Sequence, residues 1–434
     1  MRVLIWGLLF VFSRSLFAQG GSLYFPPLVG TTWETISPDE VGFCPEAIDS
    51  LYSFLESTDS KSFILLQDGK IVLEKYFGTY TRDSFWYWAS AGKSLTAFLI
   101  GQAKQEGLIE LDAATSTYLG GGWTSCTPEK EQLITVRHQL SMSTGLNDGV
   151  PDDDCTDPVC LQFLADAGTR WAYHNAPYHL LHDVLEEATG LALQQFTKTR
   201  LLDKTGMRGL WINHVQYGRA RDMARFGLLM LAKGKWGGTT LLSDSLYFQS
   251  MIQASQPMNP SYGYLWWLNS GATYLVPGLQ FPFAGPLCPA APLDLYAALG
   301  KNDQKIHVVP SKGWVIVRQG NSSNTSSVPI VFDQQMWLRL LALDCGATGV
   351  GRVEAGPVLL VHPTLAQAGW WLESSIELSE VRIWSLDGRL LRSDSDLAGH
   401  RVFIPAAEAA SQWFVLEISL ADGRKVLRRV GRVK

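Results

Sequence analysis

Strand signals fall at two places far apart in this chain, and that spacing limits the folds open to it. Near the beginning, Phe63-Ile64-Leu65-Leu66-Gln67 and Ile71-Val72-Leu73-Glu74-Lys75-Tyr76 flank Asp68-Gly69, the dipeptide that favours a tight hairpin. The segment before them, Pro45 to Ser57, reads as an amphipathic helix. Strands return late, at Leu295 to Leu299, Lys305 to Val309 and Trp314 to Arg318, followed by a helical pattern over Pro329 to Leu343. Between these ends helical patterns dominate from Ser90 to about Gln253. Helix and hairpin at one end, strands and helix at the other, imply an α+β fold: one antiparallel sheet built from both ends and flanked by helices, with a large helical insert. The α/β part would take about 40–80 and 290–345, the insert about 85–290, and a cleft should lie between them.

The insert opens on Trp86-Tyr87-Trp88-Ala89-Ser90-Ala91-Gly92-Lys93-Ser94-Leu95-Thr96. Its centre is S-x-x-K, and Leu95, Phe98, Leu99 and Ala103 continue it with helical period. Ser90 and Lys93 therefore share a face in the first turn of a buried helix. A serine hydroxyl is a poor nucleophile until a base takes its proton, and a lysine whose ammonium is destabilised by burial is such a base. The free amide of Ser90 at the helix start would face a developing oxyanion. Standing alone, the tetrad describes equally well a helix whose Ser caps it and whose Lys is solvated.

Composition narrows the remaining classes. With 46% hydrophobic and 18% charged residues the chain can bury a large core. Its net charge of −5 argues against nucleic acid as a partner. An early Arg2, the apolar run Val3 to Phe12 and Ser15-Leu16-Phe17-Ala18 have the layout of a signal peptide (1–18) cut after Ala18, which implies export through the periplasm to the surface or beyond. In an oxidising compartment Cys155 and Cys160 should bridge a short loop, while Cys44, Cys126, Cys288 and Cys345 allow three pairings. The cysteines are too scattered for a zinc site, and Asp148, Asp152, Asp153 and Asp154 read as a solvated loop rather than a calcium site. No cofactor or metal is expected.

Five stretches in order make the tetrad specific. After Ser90-Ala91-Gly92-Lys93 come Val136 to Leu146, then Arg170-Trp171-Ala172-Tyr173-His174-Asn175 with its Y-x-N, then Ala220 to Gly227 with Tyr262-Gly263-Tyr264-Leu265-Trp266-Trp267, and last Ala298-Leu299-Gly300-Lys301-Asn302-Asp303-Gln304. From Val41 to Asp344 the chain resembles the serine β-lactamase and penicillin-binding-protein-like hydrolases, in particular the class C-like branch of esterases, D-aminopeptidases and 6-aminohexanoate-dimer hydrolases. The resemblance implies a β-lactamase/transpeptidase-like fold and an acyl-enzyme on Ser90, with Lys93 and Tyr173 as a coupled base and acid acting on an ester, amide or peptide. Tyr173 would work as a phenolate or as a proton relay, since a neighbouring ammonium should favour its ionised form and lower its pKa. Asn175, in an extended segment, would donate to Lys93 or to the substrate carbonyl, and His174 would point elsewhere. Lys301 would add a cation on the sheet side, and the amide of Gln304 would complete the oxyanion hole. Asn302 and Asp303 depart from the family's small K-T-G or H-x-G residues, which favours a substrate without an obligatory carboxylate if Asp303 faces the cleft. The rival in another class is a non-catalytic penicillin-recognising or peptidoglycan-peptide sensor; a complete Ser90, Lys93, Tyr173 set speaks for the enzyme.

Beyond the hydrolase-like domain (19–345), Gly346 to Gly351 reads as a linker within 346–352. The tail 353–434 alternates as short strands at Val358 to Val361, Val381 to Leu386 and Phe414 to Leu420, which is a small β-sandwich. It resembles the C-terminal sorting domain of type IX secretion cargo through Val361-His362-Pro363, Leu386-Asp387-Gly388-Arg389 and the basic finish Arg432-Val433-Lys434, although the usual Pro-Asn-Pro is absent. That resemblance would make the type IX machinery a partner; an ordinary carbohydrate-binding or adhesion sandwich is the alternative.

Overall fold

At the first hairpin, Asp68 and Gly69 both take positive φ, 50° and 87°, the twist a two-residue turn needs to join right-twisted strands. The computed structural model describes residues 23–323, 330–345 and 359–432, apart from 363–364, 367–368, 375, 386–388, 396, 398 and 406–412. The expected signal peptide, the 346–352 linker, Pro363, Leu386-Asp387-Gly388 and Val433-Lys434 lie outside those residues.

Strands β1 (Ser60–Gln67) and β2 (Lys70–Tyr76) form the hairpin, and β3 (Trp86–Tyr87), β4 (Gly209–Ile212) and β5 (Val215–Gly218) form a separate ribbon. The main sheet is completed by β6 (Trp267–Leu268), β7 (Tyr296–Gly300), β8 (Gln304–Val309) and β9 (Trp314–Gly320). Its order is β2-β1-β9-β8-β7-β6, with every neighbouring pair antiparallel. The two chain ends thus meet at the β1–β9 pair, as the sequence implies.

Both faces of this sheet are covered, so its inner strands are nearly continuous apolar runs. Phe63 and Leu65 of β1 join one core with Leu51 and Leu55 of α1 (Pro45–Ser57). Ile64 and Leu66 join the other, with Leu95 and Phe98 of α2 (Gly92–Gln105), Leu181 and Leu185 of α3 (Asn175–Thr189) and Phe226 and Leu229 of α4 (Ala220–Leu231). The closing helix α5 (Ile330–Leu341) lays Phe332, Met336 and Trp337 on the first face, each side chain contributing on the order of 1.5–3 kcal/mol by burial. Cys44 at the start of α1 is bridged to Cys345 just beyond α5, so both ends of the unit are tied together. This settles the pairing that the sequence leaves open: Cys126 and Cys288 are unbridged.

The β3–β5–β4 ribbon is absent from the sequence reading, which treats that region as helical. Its turn, Asn213-His214, has φ of 46° and 63°, and a histidine is an unusual occupant of such a turn.

In the tail, Leu359–His362, Gly369–Ser374 and Arg401–Pro405 make one sheet, and Leu365–Ala366, Lys425–Arg432, Trp413–Leu420, Leu378–Ser385 and Leu390–Ser395 make another. Trp370 and Ile404 of the first share a core with Val381, Ile383, Leu416 and Val430 of the second. The tail is the small β-sandwich the alternating pattern suggests.

Candidate active site

The turn that carries Ser90 is a strained corner. Ala89 is left-handed at φ 48°, a conformation costing about 1–3 kcal/mol for a residue with a Cβ, and the turn Ala89–Ala91 leads straight into α2. Surrounding contacts hold it there. The Trp88 amide donates to the Gln216 carbonyl of β5 at 2.8 Å, and Gly300 at the end of β7 abuts the turn. A Cβ on Gly300 would stand 2.4 Å from the Trp88 carbonyl oxygen and 3.0 Å from the Ala91 nitrogen, so only glycine permits this approach.

Lys93 follows one turn later and is 4% exposed. Its Nζ donates to Ser90 Oγ at 3.2 Å, and lies 4.2 Å from the centre of the Tyr178 ring and 5.3 Å from that of Tyr173. Burial disfavours the ammonium and lowers its pKa to about 7, against the opposing pull of the Asp154 and Asp153 carboxylates. Tyr173 is close enough to Ser90 for the serine to favour its ionised form, and its ring faces Lys93 Nζ, so the three groups expected from the sequence do meet.

Tyr173 departs from expectation in its ionisation. Burial drives its pKa up, Asp153 adds to the rise, and the nearby Ser90 only partly offsets them. It is a neutral phenol, because desolvation outweighs a neighbouring lysine that is itself easily discharged. Trp267 stacks on it at 5.8 Å and 17°, and Tyr262 meets it edge-on at 6.2 Å.

Asn175 is not in an extended segment: it is the first residue of α3, and its Nδ2 donates to Asp153 Oδ2 at 3.1 Å. Its Oδ1 is buried without a hydrogen-bond partner among the described residues. His174 is 2% exposed, and burial lowers its pKa to about 4, leaving the ring neutral.

On the sheet side, Lys301-Asn302-Asp303 forms the turn between β7 and β8. Lys301 is exposed at its tip. Asn302, left-handed at φ 60°, donates from Nδ2 to the Tyr87 hydroxyl at 2.7 Å, which ties the turn to the segment just before Ser90. Gln304 begins β8, and its buried side chain donates to the carbonyls of Asn302 (2.9 Å) and Gly320 (2.6 Å) while accepting the Gly320 amide at 3.1 Å. Asp303 pairs with Lys305 at 3.2 Å, and Lys305 reaches Asp333 of α5 at 3.2 Å. The Asp303 carboxylate thus lies on the α5 side of the sheet, whereas Ser90 lies on the other. His307 Nε2 lies 3.3 Å from the same Asp333.

Several contacts at the site are not assigned by the sequence reading: Tyr178 under Lys93, Trp267 on Tyr173, and Ser94, whose hydroxyl donates to the Leu265 carbonyl at 2.6 Å and so joins α2 to the Tyr262–Trp267 stretch. Tyr178 could have been found, since it lies one helical turn beyond Asn175. The expected Cys155–Cys160 bridge is present. Asp148 pairs with Arg170 at 2.7 Å, while the carboxylates of Asp152, Asp153 and Asp154 gather within 4.8 Å of one another.

The family model described as Beta-lactamase matches residues 57–317. A Bacillus subtilis (strain 168) protein named as penicillin-binding protein PbpX is 25% identical over 164 residues, which is 34% of this chain and 40% of that relative. The chain therefore spans under half the length of this curated relative. Among solved structures, a Bacillus anthracis protein named as a 6-aminohexanoate-dimer hydrolase superposes with a TM-score of 0.56 at 18% identity, over 73% of this chain and 89% of that one. The octameric penicillin-binding protein homologue from Pyrococcus abyssi gives 0.52 at 16% identity, over 90% and 96%. At these identities the likeness is one of fold.

Proposed function

The chain belongs to the β-lactamase family, and from that premise we propose that it is an exported serine hydrolase that cleaves an ester or amide through an acyl-enzyme on Ser90. One observation carries the reading: Lys93 Nζ lies 3.2 Å from Ser90 Oγ in a site dry enough to hold the lysine pKa near neutrality, at about 7. Lys93 is the base and Tyr173 a neutral proton relay, since burial makes the amine easy to discharge and the phenol hard to ionise.

In the reaction Lys93 Nζ takes the proton from Ser90 Oγ as the oxygen bonds to the substrate carbonyl carbon. The tetrahedral oxyanion sits between the amides of Ser90 and Gln304. Its collapse breaks the ester or amide bond, and the leaving alcohol or amine takes a proton from the Lys93 ammonium by way of Tyr173. Water, activated in the same manner, then frees the acid and restores Ser90. Lys301 at the turn tip meets a charged end of the substrate. Because Asp303 is engaged on the far face, it does not repel an anionic substrate, and a β-lactam stays beside esters, D-amino-acid amides and aminohexanoate oligomers in the panel to be assayed.

Two disulfides fit an extracellular protein, and no helix among the described residues is long and apolar enough to cross a membrane. Export by the Met1–Ala18 signal and delivery by the 353–434 tail through a type IX system complete the proposal. Mass spectrometry after incubation with a fluorophosphonate tests the core of it. The adduct is expected on the peptide carrying Ser90; an adduct elsewhere, or none with the fluorophosphonate and a slow ester alike, would sink the mechanism.

A further inference from the structure

Arg318 of β9 is 0% exposed. Like Ile316 two residues before it, it projects onto the α5 side of the main sheet, where its guanidinium lies 4.9 Å from the centre of the Phe332 ring. Burial lowers its pKa to about 10, so it is still charged at neutral pH. Among the described residues its hydrogen-bond partners are all uncharged oxygens. Nε donates to Ser60 Oγ at 2.9 Å and Nη2 to the Thr58 carbonyl at 2.8 Å, which anchors the fork at the start of β1. Nη1 is shared among the carbonyls of Asn302 (2.8 Å) and Asp303 (3.2 Å) in the β7–β8 turn and that of Asn321 (3.0 Å). A Cβ on Gly320 would stand 2.4 Å from the guanidinium carbon, so the end of β9 leaves room for the fork.

A buried charge with no carboxylate paired to it is costly, and an apolar residue would fill the same space more cheaply. What the charge does here is hold backbone. Asn302 and Asp303 are successive left-handed residues, at φ 60° and 59°, and each carries a Cβ, so the turn needs outside contacts to keep its shape. The Asp303 carbonyl and the Gln304 amide are opposite edges of one planar peptide and point in opposite directions. Arg318 takes the carbonyl edge from the α5 side, which turns the N–H edge away from α5, and Ser90 lies on that other face. The start of β8 packs against the Ala89–Ala91 turn that carries Ser90. Donation from a charged group also draws electron density onto the carbonyl oxygen and makes the N–H of the same peptide a stronger donor. We infer that Arg318 is a positioning residue, which orients and polarises the Asp303–Gln304 peptide so that the Gln304 N–H meets the oxyanion formed at Ser90. This rests on the assignment of the Gln304 amide to the oxyanion hole under the proposed function.

Arg318→Lys in the full-length protein is the decisive variant, because it keeps the charge but replaces the planar fork by a point donor that cannot span the turn and the start of β1 together. The readout is steady-state hydrolysis of a neutral p-nitrophenyl ester. An oxyanion donor acts in the transition state, so kcat and kcat/KM should fall together by about 10- to 100-fold while KM stays within about twofold. Affinity for phenylboronic acid, whose tetrahedral adduct on Ser90 puts an oxygen where the oxyanion forms, should fall in parallel. Leu51→Ala, a truncation in the α1 core, is the control for lost stability: it should lower the melting temperature and leave kcat unchanged. A folded Arg318→Lys with wild-type kcat, a loss confined to KM, or an equal kcat loss in Leu51→Ala overturns the inference. If Arg318→Lys fails to fold, Gly320→Ala displaces the guanidinium without removing it, and kcat should again fall at constant KM; a wild-type kcat there overturns the assignment. Replacing the Gln304 amide by an ester linkage separates the two layers. An ester that leaves kcat unchanged defeats the oxyanion-hole assignment and the inference with it, while an ester that lowers kcat beside an unaffected Arg318→Lys defeats the role of Arg318 alone. An unlabelled Ser90 in the wild type after fluorophosphonate treatment defeats the hydrolase reading itself.

Discussion

Ser90 and Lys93 are within reach because three positions on a helical turn always are; what makes the pair chemical is the dryness around it. A lysine in water would hold its proton far above neutral pH and could not serve as a base. With its pKa lowered to about 7, Lys93 is protonated and idle below that pH and free above it, so kcat/KM should rise through pH 7 and level off on the alkaline side. A stopped or continuous ester assay between pH 5 and 9 checks this, and a rate that falls over that interval would contradict Lys93 as the base. Lys93→Ala and Tyr173→Phe should each lower kcat by at least ~100-fold, and a near-wild-type rate in either would remove that residue from the mechanism. The tetrad and the Tyr of Y-x-N were legible because local spacing defines them. The partner of Asn175 was not: Asp153 lies on another loop, and only tertiary packing brings the two together. Tyr173 was misjudged for a related reason, since burial, invisible in a three-residue motif, decides the sign of its shift.

Elements place the second half of the site. The β7–β8 turn reaches Ser90 through two devices, the bare Cα of Gly300 against Trp88 and the Asn302–Tyr87 hydrogen bond. Gly300→Ala would force a methyl to 2.4 Å from a carbonyl oxygen and push the turn off Ser90. It should cost about 1–3 kcal/mol of stability and at least ~10-fold in kcat, by analogy with overpacking and with loss of an oxyanion donor. Thermal melts and steady-state kinetics on one preparation would show both, and a variant with unchanged kcat would separate the turn from catalysis. The hairpin, α1 and five of the six strands of the main sheet were legible because short apolar runs and Asp68-Gly69 are local signals, whereas the two-residue β6 is too short to leave one. The β3–β5–β4 ribbon was hidden by Asn213-His214, a turn that lacks the expected glycine. The cysteines could be counted from sequence but only one short loop paired. Non-reducing peptide mapping should recover Cys155 with Cys160 and Cys44 with Cys345, leaving Cys126 and Cys288 as thiols; a different pairing would contradict the clasp between α1 and the end of α5 or the short loop before Tyr173.

At the scale of the whole chain, the cores divide where the sequence changes texture. Every buried residue of the two cores around the main sheet lies between Trp33 and Leu343, and every buried residue of the sandwich core lies between Trp370 and Val430. The Cys44–Cys345 bridge closes the first unit, and in the chain-entropy view a loop this long contributes on the order of 5–6 kcal/mol by restricting the unfolded chain. A unit with its own cores and its own clasp is expected to fold without the tail, and the proposed nucleophile, base and relay all precede Cys345. Removing Val353 to Lys434 should therefore leave a folded protein that hydrolyses a small soluble ester at the full-length rate, with its melting temperature unchanged within a few degrees. In a type IX-competent host the same truncation should hold the protein in the periplasm if the tail is a sorting signal. If the tail instead grips polysaccharide, export should continue and only retention on glycan should fall. Loss of ester hydrolysis by the purified truncated protein would mean that the sandwich supports the site after all, and that the boundary near Gly346 to Gly351 divides one functional unit.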